Sequence, residues 1–209
     1  ALVTSSSSPE ELISNLKGTE YYDPLVHLST MENPTLFDYE MTLDLYYFSH
    51  LWKQKEKIAK KKDLEELTKA WGSKFDMLNL QWIYRSKQYY HMTSADIYAL
   101  IIPVHYHLKK TEVQSLVEAE NMEAFQQLIQ QTYYAKHFEQ FSTETMESMY
   151  AQIMKHILSL ASRNNPYSLA TVYSYLYHKD HEINRLIIAL ECVRYGISPD
   201  EAMQYVAKT

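Results

Sequence analysis

Nine histidines and a single cysteine have the widest chemical repertoire in this 209-residue sequence, and metal binding is the first chemistry they raise. His105 and His107 lie two apart, a spacing that does not place them on one helix face. His178 and His181 are three apart with Glu182 adjacent, so on a helix both could touch one ion. A tetrahedral site needs three or four ligands, however, and no second helix offers a complement. Neither a Glu-x-x-His pair for a di-iron site nor a His-Glu-x-x-His occurs. The histidines therefore read as surface or core residues, and no metal is expected. Cys192 sits inside a helical pattern, where a lone thiol behaves as a small buried apolar group. The sequence has no Gly-x-Ser-x-Gly, and its three glycines are too scattered for a phosphate loop. Paired Asp-Asp-x-x-Asp motifs are absent as well. No catalytic residue and no cofactor is expected.

Asp76, Asn79 and Arg85 are the strongest candidates for a polar site. At about 100° per residue Asp76 and Asn79 share a helix face, while Arg85 stands roughly opposite Asp76. The three cannot converge on one ligand from this helix alone. The favoured reading is structural, each group bonding a different neighbouring helix or loop end, because a buried polar group needs a partner. Contact with a ligand or partner is the competing one.

The elements that must position these groups are helices. Residues 75–88 carry Phe75, Leu78 and Trp82 as one apolar stripe, and the helix should end at Tyr89-Tyr90-His91. Thr93-Ser-Ala-Asp96 then reads as a new helix start, with the Thr93 hydroxyl as N-cap and Pro103 as the stop. A second such unit spans residues 182–206. Its apolar helix ends at Tyr195-Gly196, with Gly196 suited to a left-handed cap, and Ser198-Pro-Asp-Glu201 forms the next start. A third start is Ser8-Pro-Glu-Glu11. The two long units align without gaps at an offset of 105 around the cap, Tyr90 with Tyr195 and Thr93 with Ser198, which suggests internal duplication.

Elsewhere Phe37, Met41, Leu45, Phe48 and Trp52 form a long helical stripe. The lysine-rich run 53–62 follows, at the junction of two antiparallel helices. It reads as a solvated helix end, with an anionic lipid surface or an acidic partner as the alternative. Gly72 inside the second helix implies a bend or a close helix contact. Shorter amphipathic pieces lie at 112–119 and 122–133. A helix on Met146, Tyr150, Ile153, Ile157 and Leu160 follows, and then a last one with Leu169, Tyr173, Leu176, Ile183, Ile187 and Leu190 as its seam. Nineteen tyrosines suit packing between helices and, equally, protein interfaces. No strand-like alternation competes.

These residues also resemble a known family, the C subunits of the archaeal-type and bacterial V-type rotary ATPases, which includes the d subunit of the eukaryotic V-ATPase. The family carries Asp-x-x-Asn, then an arginine and a basic residue, on one long helix. Here these are Asp76, Asn79, Arg85 and Lys87. Near its end it has a glutamate-led run, a Glu-Cys or similar pair, a glycine and a helix start. The counterparts are Glu182, Glu191, Cys192, Gly196 and Ser198. Arg185 stands where the family has asparagine, with Asn184 just before it.

The resemblance implies a non-catalytic, socket-shaped adaptor between a membrane proteolipid ring and the central stalk, transmitting torque for proton or sodium transport. It implies the cytoplasmic face of the membrane, peripheral attachment through the ring alone, and no bound nucleotide. The expected fold is all-α: repeated helical-hairpin lobes forming part of a funnel with pseudo-threefold symmetry. Residues 1–108 are expected to be the first lobe and 109–209 the second, with an earlier part of a longer protein missing. An unrelated helical repeat scaffold is the alternative.

Composition agrees with these expectations. A hydrophobic content of 46% in a chain this long can bury a substantial core, and so few glycines and prolines disfavour a turn-rich β fold. The single cysteine excludes an internal disulfide and fits a reducing compartment. The longest uncharged run, 164–178, is too short and too polar to span a bilayer. A net charge of −6 argues against a general nucleic-acid binder.

Overall fold

The structure is a computed structural model and describes residues 6–208. Every regular element among them is helical. The first helix, α1 (Pro9–Asn15), is capped by Ser8, whose hydroxyl accepts from the Glu11 N–H at 3.2 Å. A one-turn helix, α2 (Tyr22–Leu25), and a 3₁₀ turn (Val26–Thr30) follow it. Ile13, Leu25 and Leu28 bury a small cluster there against Tyr39 and Leu43 of the next helix.

That helix, α3 (Leu36–Ile58), starts at a capping box in which Thr35 and Asp38 satisfy each other's backbone N–H. It turns through Ala59–Lys61 into α4 (Lys62–Gln88), the central helix of the molecule, about 40 Å long. α4 is buried on two faces. Leu67, Trp71 and Phe75 pack with Phe48 and Trp52 of α3, and Met77, Leu80 and Ile83 pack on the other side. Phe37, expected in the α3 stripe, is instead half exposed, at the rim of an open cleft that it shares with Trp82 and Tyr90.

α4 ends as expected, and His91 takes a left-handed φ of +49° before Thr93 caps α5 (Ser94–Leu100). At the same offset in the second unit Gly196 has φ +68°. There the Ile197 N–H bonds Cys192 O and the Gly196 N–H bonds Val193 O, a Schellman closure. Both long helices thus end on a left-handed residue two positions before a hydroxyl cap. One copy uses histidine where the other uses glycine, at the greater steric cost.

Between these units lie α6 (Lys110–Glu118), α7 (Met122–Gln131), α8 (Tyr133–His137) and α9 (Met146–Asn164). The largest core cluster joins Met77, Leu80 and Ile83 of α4 to Phe125, Tyr134 and Ile153, so it draws on both sides of Leu108. The last two helices are α10 (Leu169–Arg194) and α11 (Pro199–Lys208), with Pro199 at the first helical position.

The seam expected on α10 is only partly buried. Tyr173 packs edge-on against Trp71, yet Leu176, Ile183, Ile187 and Leu190 are each more than half exposed. Only Tyr173 and Tyr177 of this helix reach a core cluster. Farther along, α9 and α11 line one side, and no other described element covers the apolar face.

Gly72 on α4 faces the Tyr106 ring so closely that an added Cβ would stand 2.5 Å from its Cγ. The close approach inferred from the sequence is therefore real, but it is to a loop rather than to a helix. Alanine would normally gain about 1 kcal/mol over glycine inside a helix. Here Gly72→Ala is expected to lower the urea midpoint, because the Tyr106 segment must move away. A midpoint that rose would contradict the contact.

Candidate functional site

Gly72, Asp76 and Asn79 recur at spacings of four and three, which aligns them along one face of α4. Against that face lies the segment 101–108, an irregular strap after α5 that forms no helix of its own. Its backbone polar groups need partners, since burial without them costs a few kcal/mol per group. Asn79 supplies two: its amide donates to Ile102 O at 3.0 Å and its carbonyl accepts from the Ile102 N–H at 2.8 Å. In effect the side chain pairs with Ile102 as a neighbouring strand would.

Asp76 supplies the rest. It is 0% exposed, and its Oδ1 accepts from the Tyr106 N–H at 3.2 Å. Oδ2 accepts from the N–H groups of His107 at 2.7 Å and Leu108 at 2.9 Å, and from the Tyr134 hydroxyl at 3.0 Å. Burial pushes the carboxyl up to about 6, against these four donors, which pull it down. Burial, together with the Asp76 charge, likewise raises Tyr134 well above the usual phenol value. Asp76 therefore acts as an acceptor hub that ties α4 to the strap and to α8. The expectation that Asp76 and Asn79 bond different neighbours is corrected: both hold the same strap.

The other family-motif residues lie apart. Arg85 lines an apolar cleft of about 430 Å³ with Phe37, Trp82 and Tyr90. Lys87 donates to Ala119 O at 2.9 Å, fastening the end of α4 to the end of α6, and desolvation lowers its pKa. On α10, Glu182 pairs with Lys179 at 2.6 Å and Glu191 with Arg194 at 3.5 Å, while Arg185 borders a groove between α9, α10 and α11. The Thr93 hydroxyl accepts from the Asp96 N–H at 3.2 Å and the Ser198 hydroxyl from the Glu201 N–H at 3.4 Å.

Sequence reasoning missed Tyr134, and it put a helix rather than the Tyr106 strap against Gly72. The alignment of Gly72, Asp76 and Asn79 on one face, among the apolar positions of α4, was the available signal. Tyr134 lies 58 residues away, with nothing in its local pattern to point at Asp76.

Beside the hub, the His107 ring stacks on Tyr133 at 3.7 Å and Tyr133 on His137 at 4.0 Å. Desolvation, and then the nearby His137, lower the His107 pKa. These rings edge a cleft of about 460 Å³ that also meets Glu66, Lys69 and His156. Among the described residues no three His, Cys, Asp or Glu side chains gather as a metal site would require. What the arrangement does is hold a strap in place by hydrogen bonds.

The family described as ATP synthase (C/AC39) subunit matches residues 2–205. No curated protein and no solved structure matches the chain significantly.

Asp76→Ala would leave three strap N–H groups and a buried phenol without their acceptor. It is expected to cost roughly 3–5 kcal/mol, read as a thermal midpoint lowered by more than about 6 °C. An unchanged midpoint would remove the hub from the account. The sign of its pH dependence follows from a folded pKa of about 6 against an ordinary 3.8. The folded state binds the proton more tightly, so this group's contribution is fully present below about pH 4 and is lost as pH rises through about 6. Urea titrations should therefore show wild type losing stability over that range relative to Asp76→Asn, which cannot titrate there. A difference that did not vary with pH would contradict the raised value.

Proposed function

The chain belongs to the ATP synthase (C/AC39) subunit family, whose members are the C and d subunits of V-type ATPases, and from that membership we propose that it is a non-catalytic adaptor of the central rotor. In this reading it joins the membrane proteolipid ring to the central stalk and transmits torque for proton or sodium transport. It sits peripherally at the cytoplasmic face and meets the membrane through the ring. The family match carries the proposal.

Two features of the structure support it. Torque transmission demands a stiff body, and packed interiors have low compressibility. α4 runs through such a body, with the Asp76 hub and Asn79 preventing its strap from yielding. An adaptor also needs faces for its neighbours, and α10 presents Leu176, Ile183, Leu186 and Leu190 to solvent. The two lobes proposed at 1–108 and 109–209 belong to this reading, as part of a funnel of similar lobes. No described helix is long and apolar enough to cross a membrane, which is compatible with attachment through a ring.

The deciding experiment is affinity purification of the tagged protein from its native membrane, with identification of what accompanies it. A proteolipid and a central-stalk protein are expected to co-purify. Neither appearing would favour a helical scaffold of another kind. Leu186→Glu with Leu190→Glu, at side chains already 58% and 69% exposed, is expected to abolish that recovery with little change in melting temperature. Full recovery of both partners by this variant would remove the α10 face from the assembly.

A further inference from the structure

The connection between α3 and α4 concentrates charge in a way that the adaptor role does not use. Residues 53–62 hold six lysines and one glutamate, a net of +5 in a chain whose total is −6. Lys55 is spent internally: it is 6% exposed, with its ammonium 4.1 Å from the centre of the Trp52 ring and 3.4 Å from Glu56. The remaining five, Lys53, Lys57, Lys60, Lys61 and Lys62, are exposed and have no ion-pair or hydrogen-bond partner among the described residues. Nearby carboxylates are occupied elsewhere: Glu56 with Lys55, Glu65 with Lys69 at 3.2 Å, and Asp63 with the Leu169 N–H at 3.1 Å.

Two further observations point outward. Lys61 has φ +52°, a conformation that costs a side-chain-bearing residue energy and that glycine would adopt freely. A lysine is nevertheless held at the tightest point of the turn. Ile58, at the end of α3, is 57% exposed between Lys57 and Lys60. An isoleucine among free ammonium groups at the apex of a rigid hairpin has the composition of an interfacial anchor.

We propose that this hairpin tip binds an anionic lipid surface, with the five free lysines attracted to headgroup charge and Ile58 entering the headgroup boundary. Lysine suits this partner because it is a flexible point charge without the planar fork that recognises single carboxylates. An extended array of headgroup charge can meet several of these exposed lysines at once, and it also gives Ile58 an apolar boundary to enter. The contact adds to the ring-mediated one proposed above and is independent of it, since isolated chain and vesicles suffice to test it.

The experiment is co-sedimentation with phosphatidylcholine vesicles, with and without phosphatidylserine, across a salt series. Binding is expected only to the anionic vesicles and should weaken as salt shortens the screening length. The triple variant Lys60→Gln, Lys61→Gln, Lys62→Gln should bind about 100-fold more weakly, at about fivefold per charge. A charge-matched control, Lys17→Gln, Lys109→Gln, Lys110→Gln, should lose less than about fivefold. Both variants should keep the wild-type melting temperature. Equal binding to neutral vesicles, or equal loss in the control, would overturn the proposal. So would a poly-glutamate peptide that binds the tip when anionic vesicles do not, which would assign the surface to an acidic protein segment.

Discussion

A carboxylate with no access to water, facing four donors, is the constraint on which the rest of this structure depends. An ionised group cannot be buried without compensation, and among the described residues Asp76 finds it in three backbone N–H groups of the strap and one tyrosine hydroxyl. The strap in turn has no secondary structure to satisfy those N–H groups by itself. Each solves the other's problem. The consequence is a fixed position for 101–108 on α4, to which α8 is tied through Tyr134.

From that fixed point the packing on either side follows. Ile102 and Val104 enter the cluster shared by α3, α4 and α9, whereas Leu108 enters the one formed with α6, α7 and α8. The strap therefore links two cores with residues four to six positions apart, and Gly72 gives the Tyr106 side chain room to approach α4 closely. A body organised this way resists relative movement of its long helices. That stiffness is what the proposed adaptor role asks of the body.

The surface divides in a similar way. One end carries free positive charge on a hairpin tip, and the α10 flank carries exposed aliphatic side chains. Neither is what a self-sufficient monomer presents, since large contiguous apolar faces and unpaired charge clusters both favour association. The interior holds the body rigid, while these two surfaces offer contacts to other molecules.

Helix positions were legible in the sequence because they depend on local chemistry. Hydroxyl caps at Ser8, Thr93 and Ser198, Pro199 at a first turn and Gly196 after a last one all act within four residues of themselves. Apolar spacing located α3, α4, α9 and α10 for the same reason. Sequence alone also marked Asp76 and Asn79 as buried polar residues in need of partners. Only the tertiary structure decided who those partners are, because Ile102, Leu108 and Tyr134 lie 23, 32 and 58 residues away and no local pattern encodes such a distance. It also decided that the α10 seam stays largely uncovered. Periodicity identifies an apolar face, but whether something covers it depends on which elements the chain brings alongside.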